Sequence, residues 1–275
     1  DCELSRGLGD VYKRQIFRML NNNELNLSIL RDLSCNVGSN NDFIQATGGN
    51  TSFKNNGTLW VKASGKELKK AKIENIFVPI NLKSIISQIK NCSVKLESLD
   101  PNINLRPSIE TSLHAIIPSK FVIHTHPLDL IVHTVLPESK KFFDESLIGY
   151  KWNWVEYVKP GLEIAKKIIE FKNKQNFQIY ILENHGLIIS GDDHSQLLEI
   201  QNDIFQKIKI NNRKSPDINF PLLNKLIIII QQKGIQAKLP SFKLIHSLAV
   251  DKVSFELAAN KNPLFPDQVV FSGLR

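Results

Sequence analysis

The 275-residue chain carries 35 lysines and arginines against 27 aspartates and glutamates, a formal charge of +8, with 42% hydrophobic and 23% charged residues. That length buries a substantial core as one large domain or two small ones, and the composition is that of a globular protein rather than a disordered or fibrous one. It excludes a transmembrane helix, because no run of about eighteen apolar residues exists; it also excludes a cysteine framework, because Cys2, Cys35 and Cys92 are odd in number, far apart and without a CxxC, as suits a reducing cytosol.

Residues Asp1 to Gln15 differ in character from the rest of the chain and read as a non-native, adaptor-derived leader. No apolar segment after Met19 suits a signal peptide, so a cytoplasmic protein is expected. Leu27, Leu30, Leu33 and Val37 recur at helical spacing and predict a helix over Leu25 to Val37, closed by Gly38. Two short strands, Asn50 to Phe53 and Thr58 to Ala63, flank Asn55-Asn56-Gly57, a hairpin signal. A short helix is expected over Lys66 to Lys72, a strand over Ile76 to Ile80 and a helix over Leu82 to Ile89. The lysine group Lys66, Lys69, Lys70 and Lys72 fits a solvated helix face. Elsewhere the basic residues are scattered and do not interleave with aromatics, so no nucleic-acid groove is expected. A phosphorylated small molecule is the better acidic partner.

Ser108 is positioned to cap a helix from Ile109 to Ile117, ended by Pro118. A buried strand over Phe121 to His126, a helix near Leu128 to Leu136 and an amphipathic helix over Gly161 to Lys174 come next. In Ile181 to Ile189 a polar Glu-Asn-His-Gly separates two apolar runs, as in a strand-turn-strand. Then come a helix over His194 to Ile210, a loop over 211–221, a helix over Leu222 to Gln232, and strands over Val253 to Leu257 and Gln268 to Phe271. The chain stops on Arg275 directly after that last strand, as a fragment would. The irregular alternation predicts an α/β layered domain with a largely antiparallel sheet. We divide it into a core over 16–210 and a C-terminal α/β extension over 211–275.

Three places carry chemistry. His124 and His126 lie one residue apart in a strand, so both project from one face, where two imidazoles suit a divalent metal. His185, in the Glu-Asn-His-Gly turn, is the third candidate ligand; three nitrogens and an open position is a catalytic rather than a structural pattern. His133, His194 and His246 lack such company and read as surface or core residues. Glu110, in the first turn of its helix, either complements the helix dipole or acts as a general base beside the metal, and position alone weighs these equally. His114, one turn on, reads as a hydrogen-bonding partner behind the ligands rather than a fourth ligand. The third place is Thr47-Gly48-Gly49-Asn50-Thr51-Ser52 together with Ser64-Gly65-Lys66, whose glycines, hydroxyls and freed N–H groups suit a phosphate.

Taken in order, GGNTS (Gly48 to Ser52), ASGK (Ala63 to Lys66), RPSIETSLH (Arg106 to His114), HTHP (His124 to Pro127) and ENHG (Glu183 to Gly186) resemble the class II aldolase/adducin family, most of all the aldolase portion of rhamnulose-1-phosphate aldolase/dehydrogenase-type proteins. The resemblance spans roughly residues 25 to 275. It implies a three-layer α/β/α fold around a predominantly antiparallel sheet, a homotetramer, and Zn2+ or another divalent metal on His124, His126 and His185. It further implies a catalytic Glu110, a substrate phosphate on Gly49, Asn50, Thr51, Ser64, Gly65 and Ser108, and retro-aldol cleavage of a ketose 1-phosphate. Relatives with the same site are epimerases or dehydratases, and adducin-like members are non-catalytic binding proteins without the ligands. Family aldolases often borrow a C-terminal tyrosine from a neighbouring subunit; none is assigned here, and no segment resembles the dehydrogenase domain that is often fused.

Overall fold

The computed structural model describes residues 23–172, 177–211 and 214–259. The leader expected over 1–15 and the strand expected over Gln268 to Phe271 lie outside them. The chain divides into two compact units at Lys209/Ile210.

The first unit opens with helix α1 (23–38), whose Leu27, Leu30, Leu33 and Val37 are all buried, as their spacing requires. Strands β1 (Asn50–Asn55) and β2 (Thr58–Lys62) form the expected hairpin, with Asn56 at φ 47° in the turn. A single 3-10 turn, Leu68–Lys70, stands where a helix over Lys66 to Lys72 was expected. Next in the chain are β3 (Phe77–Asn81), α2 (Leu82–Lys90), α3 (Thr111–Ile116), β4 (Phe121–Thr125) and α4 (Leu128–Thr134). Two elements had no forecast, α5 (Ser139–Ser146) and β5 (Trp152–Val155). The unit closes with α6 (Leu162–Lys172), β6 (Ile179–Leu182), β7 (Gly186–Gly191) and α7 (His194–Ile208).

The strands make one seven-stranded sheet in the order β3-β2-β1-β4-β7-β6-β5. Every neighbouring pair is antiparallel except β5 and β6, so the sheet is mixed and mostly antiparallel. Alternation along the strands separates two cores. Phe53, Phe121, Ile123, Ile181 and Ile189 pack with Leu30 and Leu33 of α1 and Leu197 and Ile204 of α7. Val61, Val122, Tyr180 and Ile188 pack with Ile85 of α2, Leu113 of α3 and Ile168 of α6.

The second unit contains α8 (Phe220–Gln232), α9 (Lys243–Val250) and α10 (Lys252–Ala259) among its described residues. The strand expected over Val253 to Leu257 is therefore corrected to helix. Val253, Phe255 and Leu257 alternate in sequence but all are exposed, so no buried sheet face supports the period. Glu256, Leu257, Ala258 and Ala259 are strong helix formers. No described helix is long and apolar enough to cross a membrane.

Candidate metal centre

The sheet brings the chemistry to one end of three adjacent strands. Register pairs Asn50 with His124 across β1 and β4, and Thr125 with Leu187 across β4 and β7. β4 ends at Thr125, one residue short of the expected strand, and the His126 N–H donates to the Phe43 carbonyl at 2.8 Å. The His185 turn, with Asn184 at φ 47°, is fixed by the Asn184 N–H donating to Thr134 Oγ1 at 2.9 Å. Gly186 comes next because β7 passes very close to β4. A Cβ there would overlap the Thr125 carbonyl oxygen and crowd the His126 ring.

Glu110, His124, His126 and His185 thereby converge, all buried, with one ligand atom from each inside a 4.8 Å group. Nε2 of His126 lies 3.0 Å from Nε2 of His124, and Glu110 Oε1 lies 3.2 Å from Nε2 of both His124 and His185. His124 Nδ1 is 3.0 Å from the Leu187 carbonyl, which can only accept, so the ring proton sits on Nδ1 and the Nε2 lone pair faces the cluster. A lone pair facing a carboxylate oxygen and a second imidazole nitrogen needs a proton or a cation between them. Donors separated by about 3 Å are what metal–nitrogen bonds of about 2.0–2.1 Å produce. The residues present thus fit a divalent cation, and the Leu187 carbonyl is the outer partner that orients the His124 ring.

The α3 start differs from expectation. Ser108 does not cap at Ile109; the helix begins at Thr111 with Glu110 at its N-cap. Ser108 Oγ instead accepts from the Glu110 N–H at 3.2 Å and from Asn50 Nδ2 at 2.7 Å, making a tight turn before the helix. The Glu110 carboxylate makes no capping bond and turns toward the imidazoles, while its Oε2 accepts from Asn50 Nδ2 at 2.9 Å. Burial alone would raise the Glu110 carboxyl, but the His124 and His185 imidazoles beside it outweigh burial and hold it well below its ordinary range. Burial pushes His185 down to about 4, partly opposed by Glu110. His114, one turn along, lies outside the four-residue cluster. Its Nδ1 is 2.7 Å from Ser52 Oγ, and burial, reinforced by His124, holds it well below the ordinary imidazole value.

The expected phosphate positions divide. Gly49, at φ 65° against the His124 carbonyl, and Asn50 lie beside the cluster. Thr51 points to the opposite sheet face, where its hydroxyl meets Ser34 Oγ at 2.7 Å. Ser64 and Gly65 are exposed in the turn after β2 and precede the 3-10 turn rather than a full helix. The Ser64 N–H bonds the Arg106 carbonyl, and Lys66 Nζ is committed to Glu74 at 3.0 Å. Of the remaining histidines, His133 bonds the Ile208 carbonyl and His246 the Pro240 carbonyl, while His194 packs on Phe121. Local spacing gave no sign of Ser52 as the His114 partner, Asn50 as the Glu110 partner, or the Leu187 carbonyl behind His124, because each partner is about sixty residues away.

The family model described as Class II Aldolase and Adducin N-terminal domain matches residues 34–200. The chain is 32% identical over 197 residues to the "Uncharacterized oxidoreductase YuxG" of Bacillus subtilis, a match covering 64% of this chain and 28% of that protein. It therefore spans little more than a quarter of that relative's length. It is 27% identical over 165 residues to the L-fuculose phosphate aldolase of Methanocaldococcus jannaschii, covering 55% of this chain and 76% of that one. Among solved structures it resembles the N-terminal class II aldolase domain of a conserved Thermoplasma acidophilum protein, with a TM-score of 0.55 and 26% identity over 65% of this chain and 90% of that one.

Proposed function

Because this chain belongs to the class II aldolase and adducin family, we propose that it is a divalent-metal-dependent aldolase that cleaves a ketose 1-phosphate to dihydroxyacetone phosphate and an aldehyde. The observation that carries this reading is the buried convergence of His124, His126 and His185 on Glu110. Their three Nε2 atoms would hold the cation, which we take to be zinc. When bound, it supplies Lewis-acid polarisation of a carbonyl oxygen and stabilises negative charge developing there. Glu110 Oε1, the carboxylate oxygen facing the imidazoles, takes or returns the proton; Asn50, bonded to Oε2, fixes the orientation of that carboxylate. Gly49, Asn50, Ser64, Gly65 and Ser108 are our phosphate-site residues; Thr51, expected with them from the sequence, is left out because its buried hydroxyl is bonded to Ser34 on the other sheet face. A phosphate held there supplies binding energy remote from the breaking bond and so aligns it.

The division of the core into two helix-covered clusters supports a three-layer α/β/α description. We read 16–210 as the catalytic core and 211–275 as an extension, in a cytoplasmic homotetramer. The test is metal analysis of the full chain, followed by aldehyde release from a panel of ketose 1-phosphates with wild type and Glu110→Gln. Metal at about one ion per chain, with aldehyde release lost in the variant, is expected. An isomerised product with no aldehyde from any substrate would remove the aldolase reading, and a metal-free protein would favour an adducin-like binding role.

A further inference from the structure

Lys62 is buried at 2% exposure, at the end of β2 in a strand otherwise made of Thr58, Leu59, Trp60 and Val61. A lysine there is costly, since an ammonium removed from water must be hydrogen-bonded to be tolerated at all. Its Nζ donates to the Thr47 carbonyl at 2.6 Å and to the Lys66 carbonyl at 2.8 Å. The same residue's backbone carbonyl accepts from the Ser108 N–H at 3.3 Å.

These three contacts reach three separate segments. Thr47 precedes Gly48 to Ser52, Lys66 comes directly after Ser64 and Gly65, and Ser108 opens the turn that carries Glu110. They are the segments to which the phosphate site is assigned; the first two flank β1 and β2 at the end where Asn50 pairs with His124, and the third is tied to that end by the Ala63–Pro107 bridge. An apolar side chain at 62 would fill the same volume but leave the Thr47 and Lys66 loops untied. We propose that Lys62 is the positioning residue of the phosphate subsite. Its ammonium clamps the two loops on either side, and it places a fixed positive charge behind backbone groups that receive a dianion. This inference rests on the phosphate reading above. The lysine works from behind the loops, so it is not a catalytic residue.

The test titrates inorganic phosphate into the metal-loaded full chain by calorimetry, with metal content measured on every sample. Wild type is expected to bind phosphate. Lys62→Met, close in volume and neutral, is expected to bind it at least tenfold more weakly while keeping its metal. Lys62→Arg restores charge and donors and is expected to return affinity to within threefold of wild type. A role in stability alone would lower the melting temperature of Lys62→Met but leave the phosphate affinity of the folded protein unchanged. A Lys62→Met affinity within threefold of wild type would therefore overturn the inference. If Lys62→Met does not fold, Lys62→Gln is read by the same two thresholds. Wild type that holds metal but binds no phosphate would overturn the phosphate reading and this inference with it; a phosphate-binding wild type matched by its variants would overturn this inference alone.

Discussion

Acidifying the metal-free protein from pH 7 to pH 4 should remove a large part of its stability, and His185 sets the window. In the fold its imidazole protonates only near 4, because burial disfavours the cation, whereas in the unfolded chain it protonates near 6.5. Between those values the unfolded state binds more protons, so stability falls as pH falls through this interval and is level above it. A gap of that size, at 1.36 kcal/mol per pH unit, amounts to about 3 kcal/mol from this residue. His114, lowered for the same reason, adds in the same direction. Glu110, whose folded carboxyl is also lowered, adds a further loss below about 4.5, where the unfolded carboxyl takes up its proton. The assay is urea unfolding in chelator at half-unit steps from pH 7 to 4, for wild type and His185→Asn. The variant should show a slope shallower by up to about 1.4 kcal/mol per pH unit in the middle of the interval. Identical slopes in the two proteins would refute the argument.

Removing metal with chelator at pH 7 should lower stability by about 4 kcal/mol relative to protein at a thousandfold excess of ion over its dissociation constant, and His124→Ala should abolish that difference; calorimetric melting checks both. Gly186→Ala should cost about 1–3 kcal/mol, because the new methyl meets the Thr125 carbonyl and the His126 ring, and it should weaken metal binding at least tenfold in a competition assay. Asn50→Leu should cost about 2 kcal/mol in urea unfolding, since Glu110 Oε2 and Ser108 Oγ lose a buried donor, and it should lower turnover without removing the metal. Ser52→Ala should cost about 1–3 kcal/mol by leaving buried His114 Nδ1 without its partner, with metal content intact.

What could be read from the sequence was what local spacing encodes. The burial of Leu27, Leu30, Leu33 and Val37 reflects a 3.6-residue period, and the Asn-Gly turn closes its hairpin because both residues take positive φ. The four-residue strand β5 was invisible because Trp152 to Val155 is too short to display a period. Helix α5 was hidden because Phe143 is its only large buried side chain. Lys62 could not be found, since two of its acceptors are backbone carbonyls and a carbonyl leaves no mark in a sequence. The pairing of Asn50 with Glu110, sixty residues apart, is likewise decided by topology rather than by any motif.

The candidate centre is therefore a property of sheet register as much as of four side chains. Asn50 stands opposite His124, and the β4–β7 pairing brings the turn carrying His185 to the same end. A slip of one residue in either ladder would turn the β4 histidine to the other face, toward the core that contains Phe53 and Ile123. Register is held by the alternation of Phe121, Val122 and Ile123 between two buried cores, so a large apolar investment on both faces fixes one small polar cluster. Substitutions in either core large enough to shift β4 should therefore lower metal affinity even though they touch no ligand. Volume-conserving swaps at the same positions should leave it intact.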